Sequence, residues 1–267
     1  MSVSKYLKEL LSVLNVDSPP FHEEVFYPSY LPDSFLCRQP ELKLLVQYVS
    51  QGIQSRLSRS PPYRPIILTG PPATGKTGMV RRLLQDYSKI LEEQDEGGVS
   101  FYWVNCRSYR SPLYMMNSLI RHFVPHLPMR GFSLREHIEQ LQQVLILDGK
   151  CLVLVLDEVQ ILPETDNGIY LLELLLGILG PLVVLILVGE EVLLDHPDLS
   201  KESVGSLSDQ VVTLEPYRLE ERALILTERI RLSGYFGKNE IELGRDYAHL
   251  SDDLRFCLDS LRQDISW

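Results

Sequence analysis

The feature that most constrains this chain is a glycine-bearing segment, GPPATGKT, at residues 70–77. A short apolar run at residues 65–69 precedes it, and a helical pattern over residues 76–93 follows it. Glycines in such a loop let backbone N–H groups approach phosphate oxygens without an intervening side chain. The following helix adds the positive end of its dipole. A strand, this loop and a helix, in that order, predict a phosphate-binding loop.

The polar residues of this loop have distinct expected roles. Lys76 is expected to reach the β- and γ-phosphates as a point charge, and Thr77 to place its hydroxyl on Mg²⁺. ATP with Mg²⁺ is therefore the expected ligand, with ADP as the product of any hydrolysis. The residues expected to contact the nucleotide here are Gly70, Pro71, Pro72, Ala73, Thr74, Gly75, Lys76, Thr77 and Gly78.

A second motif is the apolar run at residues 151–156, which ends in Asp157 and Glu158. Such a strand delivers carboxylates to the carboxyl edge of a parallel sheet, where ligands bind in open α/β folds. Asp157 suits a Mg²⁺ position, usually through water. Glu158 suits polarisation of an attacking water. A strand can also end in solvated acids, so the functional interpretation depends on the upstream loop.

Apolar runs and helical patterns alternate between residues 65 and 214. Fully apolar strands separated by helices imply a parallel sheet with helices on both faces. After residue 216 only helical patterns follow, at about 218–233, 239–249 and 252–263, which predicts a small all-helical lid. The predicted fold is therefore an α/β P-loop nucleoside-triphosphatase with a lid. The strands are expected at 65–69, 99–104, 151–156, 182–188 and 210–214. Further helices are expected at 112–126 and 170–179. Another helix is expected to begin at Ser133, where Ser133 and Glu136 would form a capping box.

Charge and cysteine usage restrict the partners and the compartment. The formal net charge of −10 excludes a uniformly basic surface, so any contact with DNA must be a local patch. The four cysteines lack metal-ligand spacing and are interpreted as reduced thiols of a cytoplasmic protein. The apolar stretch at 169–188 is interrupted by Glu173 and by Gly180 and Pro181. It is interpreted as a buried helix and strand, with no membrane contact.

Five further segments, in this order, give the chain a specific resemblance. Together they resemble AAA+ ATPases, and within that class the archaeal replication initiators related to the origin recognition complex and its cell-division-control loader. The segments are the lead-in at 25–32 with 37–42, the strand ending at 104–107, the acidic motif at 156–159, the turn at 214–221, and Ser251, Asp252, Asp253, Leu254 and Arg255.

The resemblance implies roles for residues outside the loop. Tyr30, Leu31 and Arg38 would line the adenine site, and Tyr217 would contact the nucleotide at the turn into the lid. Arg255 would reach the phosphates from the lid, where its fork suits two oxygens at once. The alternative for Arg255 is a surface arginine. The catalytic set is then Glu158, Lys76 and Arg255.

The resemblance also implies domains and partners. Residues 1–40 would form an N-terminal helix and adenine-contacting strap, 41–216 the AAA+ domain and 217–267 the lid. ATP binding and hydrolysis would control protein assembly on origin DNA and helicase loading. The family's DNA-touching helix corresponds to residues 107–115, where Arg107, Tyr109 and Arg110 are candidates. An ordinary solvated loop is an equal alternative there.

The chain departs from the family pattern in ways that affect hydrolysis. Glu190 stands where the family has a polar sensor, commonly Asn. The arginine-finger stretch corresponds to residues 196–201 and offers only Lys201, which lacks the planar fork. The family continues into a winged helix that is not expected here, as in a truncated or a divergent member.

Three functions therefore stay open. The first is a weak or partner-dependent ATPase of the initiator type. The second is an ATP-bound assembly subunit that does not hydrolyse. The third is another AAA+ type, such as a clamp-loader subunit or a transposition regulator, against which the strap at 25–38 argues.

Overall fold

The computed structural model describes residues 21–93, 98–109, 111–126, 131–190, 209–235 and 239–265. The chain divides into two compact units. The larger unit is Leu31–Pro216, and the second joins Met1–Tyr30 to Tyr217–Trp267.

The larger unit is built on a five-stranded sheet. Its strands are β1 (Ile66–Thr69), β2 (Val99–Asn105), β3 (Cys151–Asp157), β4 (Val183–Gly189) and β5 (Val211–Thr213). Their order across the sheet is β2-β3-β4-β1-β5, and every neighbouring pair is parallel. The predicted parallel sheet is confirmed, with each strand within one or two residues of its expected bounds.

Helices cover both faces of this sheet. The helices α1 (Gln39–Leu57) and α2 (Lys76–Glu93) share one core with the sheet, and α3 (Pro112–Phe123), α4 (Leu134–Asp148) and α5 (Gly168–Leu179) share the other. Along β3, Leu152 and Leu154 enter one core, whereas Val153 and Val155 enter the other. Successive side chains of a strand point to opposite faces. A strand buried on both faces must therefore be apolar throughout, as β3 is.

Local signals explain where several elements begin and end. Ser133 and Glu136 form the predicted capping box at the start of α4, which ends at Gly149 in the left-handed conformation. The apolar stretch at 169–188 is α5 followed by β4, as predicted. Within the part of the chain that the structure describes, no helix is long and apolar enough to cross a membrane.

Two features of this unit differ from the predictions. The polar, proline-containing run at residues 55–65 predicts a loop, but helix α1 continues to Leu57 and buries Arg56 in its last turn. Short 3₁₀ helices at Cys106–Ser108 and Val159–Glu164 were also not predicted. Segments of three to six residues are too short to show a helical period.

The lid part of the second unit contains only helices as regular elements among its described residues, as predicted. It contains a 3₁₀ turn at Glu23–Phe26 and the helices α6 (Leu219–Leu232), α7 (Glu240–Ala248) and α8 (Leu254–Ile265). The N-terminal segment is fastened to these helices: the N–H of His22 donates to the carbonyl of Ser233 at 2.9 Å, and Glu23 pairs with Arg262 at 3.0 Å. Phe26 is 1% exposed, so this segment contributes to the core.

Candidate nucleotide site

The strand register brings the predicted motifs to one edge of the sheet. Asn105 at the end of β2 is level with Asp157 at the end of β3, and Asp157 is level with Val188 of β4. Thr69, the last residue of β1, is level with Gly189. The loop after β1, the acids after β3 and Glu190 after β4 therefore share the carboxyl edge, where ligands bind in such sheets.

The loop after β1 has a backbone that only certain residues permit. Gly70 has a φ of 143°, and a Cβ there would lie 2.2 Å from the carbonyl oxygen of Leu214. No other residue fits that position without moving the chain after β5. Gly75 has a φ of 92°, and Ala73 a φ of 61°. The buried Thr74 donates from Oγ1 to the carbonyl of Pro71 at 2.8 Å, which fixes the turn.

The side chains of Lys76 and Thr77 are held by hydrogen bonds to neighbouring groups. Lys76 Nζ donates to the carbonyls of Gly70 and Pro71, each at 2.6 Å, so the ammonium lies over the loop. Thr77 Oγ1 lies 3.2 Å from both carboxylate oxygens of Asp157. The loop after β1 and the acidic motif after β3 therefore meet at the carboxyl edge of the sheet, and their contacts with a nucleotide stay predictions.

Asp157 has the environment of a cation ligand. It is only 3% exposed, and burial raises the pKa of its carboxyl. Hydrogen bonds from Thr77 and from the Glu158 N–H, the latter at 3.1 Å, oppose that shift. A carboxylate and a hydroxyl that meet in this way suit Mg²⁺, whose ligands are oxygens. A cation here would favour the ionised carboxylate that burial disfavours.

Glu158 is held by residues that the sequence analysis did not assign to it. Its backbone is left-handed, with a φ of 55°. Asn105 Nδ2 donates to Oε1 of Glu158 at 3.2 Å, and Arg107 Nε forms an ion pair with Oε2. The hydrogen bond from Arg107 to Glu158 raises the pKa of the Arg107 guanidinium. The negative charges of Glu158, Glu164 and Glu190 raise this pKa further.

The sequence carried a partial signal for this arrangement. The family resemblance makes Arg107 a candidate for contact with DNA phosphates and gives Asn105 no role. Asn105 is a polar residue at the end of β2, the strand beside β3. Once the strand order is known, this position identifies Asn105 as a neighbour of Glu158. Of the other candidates in this segment, Tyr109 donates its hydroxyl to Ser118 Oγ at 3.0 Å, and Arg110 lies outside the described residues.

Two predicted adenine-site residues lie in the larger unit. The first is Leu31, which lies beside the first turn of α2: a Cβ on Gly78 would lie 3.9 Å from Leu31 Cδ1. Phe35, which was not predicted, lies nearer, with its Cζ 3.2 Å from the same position. Arg38 is 3% exposed and donates from Nη2 to the carbonyl of Glu215. The guanidinium of Arg38 therefore anchors the strap to the segment after β5, and its contact with adenine stays a prediction.

The remaining predicted site residues belong to the second unit. The ring of Tyr30 lies 4.4 Å from the guanidinium carbon of Arg229, a residue that the sequence analysis did not single out. Tyr217 is buried. Arg255 is exposed in the first turn of α8, where its N–H donates to Asp253 at 2.7 Å. Their contacts with a nucleotide stay predictions.

Of the residues at the family's sensor and arginine-finger positions, the structure describes only Glu190. Glu190 is exposed directly after β4. The finger segment at 196–201, including Lys201, lies outside the described residues.

A parallel sheet in this order, with a phosphate-binding loop after β1 and acids after β3, defines a P-loop nucleoside-triphosphatase fold. The profile of the family described as "AAA domain" matches residues 62–196, half of the chain. The chain belongs to this AAA family, and the predicted fold class is confirmed.

Relatives and solved structures support the predicted resemblance. The ORC1-type DNA replication protein 1 of Methanosarcina acetivorans is 23% identical over 246 residues, covering 90% of this chain and 58% of the relative. The Aeropyrum pernix ORC1 protein, solved in complex with DNA, has a TM-score of 0.76 at 24% identity, over 90% of this chain and 62% of that chain.

A second solved structure was determined with nucleotides. The Aeropyrum pernix ORC2 protein, in ADPNP–ADP complexes, has a TM-score of 0.71 at 18% identity, over 89% of this chain and 64% of that one. At these identities, both structures show a shared fold. The chain spans little more than half the length of the curated relative that it matches.

Proposed function

We propose that this chain binds ATP with Mg²⁺ at the carboxyl edge of its sheet, and that the bound nucleotide controls assembly on DNA in the manner of a replication initiator. The contact of Thr77 Oγ1 with both carboxylate oxygens of Asp157 carries the proposal. It joins the glycine loop after β1 to the acidic motif after β3.

Each part of the loop has a role in nucleotide binding. Backbone N–H groups of the non-proline residues between Ala73 and Gly78 would face the phosphates, and the first turn of α2 would contribute its positive dipole end. Lys76 exchanges its two carbonyl acceptors for phosphate oxygens, a stronger charge-assisted interaction. Thr77 and Asp157 would hold Mg²⁺, which neutralises developing charge on the phosphates when bound.

Hydrolysis is proposed to be slow or partner-dependent. Glu158 is the residue that would orient the attacking water, but its carboxylate is engaged by Asn105 and Arg107. Turnover then requires Glu158 to leave these partners. A partner or DNA that changes the position of Arg107 would supply that change.

The same contacts favour a second candidate, an ATP-bound assembly subunit without turnover. Glu190 adds a negative charge close enough to Arg107 to raise its pKa. An anion beside the terminal phosphate would oppose hydrolysis. Tight ATP binding with no turnover, alone and with DNA, would select this candidate over the ATPase.

Binding to DNA and to protein partners is proposed from the relatives. The Aeropyrum pernix ORC1 protein was solved with DNA. With a net charge of −10, this chain must use a local patch or further parts of the protein for such contact. A cytoplasmic location belongs to the same proposal and is supported by four cysteines that form no disulfide.

The substitution Lys76→Ala tests the binding site. It removes charge-assisted hydrogen bonds worth about 1.5–3 kcal/mol. We therefore expect ATP affinity to fall about 10- to 100-fold in calorimetric titration. Lys89→Ala, an exposed lysine on the same helix, is the control. Unchanged ATP affinity in Lys76→Ala would refute the site.

The substitution Glu158→Gln tests the catalytic assignment. ATP affinity should persist, because the amide keeps the size of the side chain. Any measurable phosphate release should fall about 10²- to 10⁴-fold, the usual contribution of such a base. Glu164→Gln, on the 3₁₀ turn after β3, is the control. Hydrolysis at the normal rate in Glu158→Gln would show that another group orients the water.

A further inference from the structure

Arg56 is a buried arginine at the edge of the sheet opposite the candidate nucleotide site. It lies in the last turn of α1 and is 5% exposed. Its Nε donates to the carbonyl of Val183, the first residue of β4, at 3.0 Å. Its Nη2 donates to the carbonyl of Arg64, just before β1, at 3.3 Å. The guanidinium therefore lies where α1, β1 and β4 meet at the amino edge.

The charge of Arg56 has no counter-charge among the described residues. Its other acceptors are the carbonyl of Gly52 and Oγ of Ser55, each 3.3 Å from Nη1. These partners are all neutral, and the ring of Tyr63 lies 5.4 Å from the guanidinium carbon. Burial lowers the pKa of Arg56 to about 10, so it stays protonated at neutral pH. A buried charge is costly without a partner of opposite charge.

The end of α1 offsets only part of this charge. The carboxyl end of a helix carries roughly half an elementary negative charge. A guanidinium has five N–H groups. The bonds to Val183, Gly52, Ser55 and Arg64 use four of them. One N–H of Nη2 has no acceptor within the described ranges, and the local charge stays positive.

A cavity of about 470 Å³ opens beside this guanidinium. Its volume is that of a small-molecule pocket. No acidic side chain lines it among the described residues. The lining includes the side chain of Arg64 and the hydroxyls of Ser55, Ser58 and Ser60. The hydroxyls of Ser55 and Ser58 donate to the α1 carbonyls of Gly52 and Gln54, at 3.0 and 2.7 Å. Arg64 pairs with Asp209 at 2.5 Å, and both are 41% exposed, so this pair is accessible to solvent.

We propose that this cavity binds the phosphate group of a small phosphate monoester. Arg56 would supply the buried positive charge and its remaining N–H. The lining serine hydroxyls would donate from the sides, with those of Ser55 and Ser58 exchanging their α1 carbonyl acceptors for phosphate oxygens. Donors on several sides suit the tetrahedral oxygens of phosphate. The cavity leaves room for the organic part of an ester. The site lies at the opposite edge of the sheet from Lys76 and Asp157, so it does not depend on the proposed ATP site.

Calorimetric titration of a Lys76→Ala protein tests this proposal, because that substitution weakens phosphate binding at the nucleotide loop. The probes are glycerol phosphate and inorganic phosphate. We expect glycerol phosphate to bind the more tightly of the two. Adding Gln51→Trp, which fills the cavity and retains Arg56, should weaken binding by at least about tenfold, and so should Arg56→Gln. Gln47→Trp, one turn earlier on α1 and outside the cavity lining, is the matched control and should bind normally.

Each other outcome would overturn the proposal. Absence of binding in Lys76→Ala, or binding that persists in both Gln51→Trp and Arg56→Gln, would exclude a phosphate site at this cavity. Inorganic phosphate that binds as tightly as glycerol phosphate would contradict the ester assignment. Circular dichroism verifies folding of each variant, and Gln51→Trp decides the result if Arg56→Gln does not fold.

Discussion

The chemistry of the candidate nucleotide site depends, at the scale of single residues, on how Glu158 is held. Its left-handed backbone places the carboxylate between Asn105 and Arg107. The Arg107 side chain is 67% exposed, so solvent weakens this ion pair and a competing anion can reach the guanidinium. An anionic ligand that binds Arg107 can therefore release the Glu158 carboxylate.

The substitution Arg107→Ala tests this restraint. If Arg107 keeps Glu158 from the attacking water, removing it should raise basal ATP hydrolysis several-fold and leave ATP affinity unchanged. The measurement is steady-state phosphate release at saturating ATP. Arg135→Ala removes an arginine that pairs with Glu139 at 2.8 Å on α4, and serves as the control. A lower rate in Arg107→Ala would mean that Arg107 assists the reaction instead.

At the scale of elements, close packing of the helices depends on where glycine occurs. In the second unit, a Cβ on Gly244 of α7 would lie 2.9 Å from the backbone nitrogen of Thr227 and 3.0 Å from the carbonyl of Ala223 on α6. Backbone atoms cannot move aside as a flexible side chain does. In the larger unit, the equivalent position on Gly177 of α5 has no atom within 4 Å among the described residues, apart from its chain neighbours and the nearby backbone of its own helix.

These two glycines give a matched pair of substitutions. Gly244→Ala should lower the free energy of unfolding by about 1–3 kcal/mol, because α6 and α7 must separate. Gly177→Ala should be neutral or stabilising by up to about 1 kcal/mol, because alanine favours the helix. Urea denaturation of both variants measures the difference. Equal stability of the two variants would show that the α6–α7 packing adjusts without cost.

Across the whole molecule, the four thiols differ in burial. Cys106, Cys151 and Cys257 are at most 2% exposed, whereas Cys37 is half-buried. Burial raises the pKa of Cys106 to about 12 and that of Cys151 to about 11, and it raises the pKa of Cys257 as well. Since the thiolate is the reactive form, we expect these three to be unreactive while the protein is folded.

Titration with a thiol reagent at neutral pH tests this difference. We expect Cys37 to react first in the native protein, and the other three to react only after denaturation. Cys37→Ser should abolish the fast phase, and Cys257→Ser should leave it unchanged. A fast phase that survives in Cys37→Ser would show that one of the buried thiols becomes accessible without unfolding.

Local patterns in the amino-acid sequence are enough to predict the order of the elements, the parallel sheet and the glycine loop after β1. These features are local: an apolar strand, a glycine loop and a capping box each occupy a few consecutive residues. The two acids at the end of β3 were found in the same way. The meeting of Asp157 with Thr77 follows from general rules for parallel sheets.

Local patterns do not show which distant side chains meet, and the folded arrangement of strands and helices does. Glu158 is held by Asn105 and Arg107, which lie 53 and 51 residues away in the chain. Arg38 donates to a carbonyl 177 residues away, and Arg56 to one 127 residues away. Periodicity shows which face of a strand or helix is buried, but not which strand lies beside it. Those contacts follow from the order β2-β3-β4-β1-β5, which no local pattern in the sequence encodes.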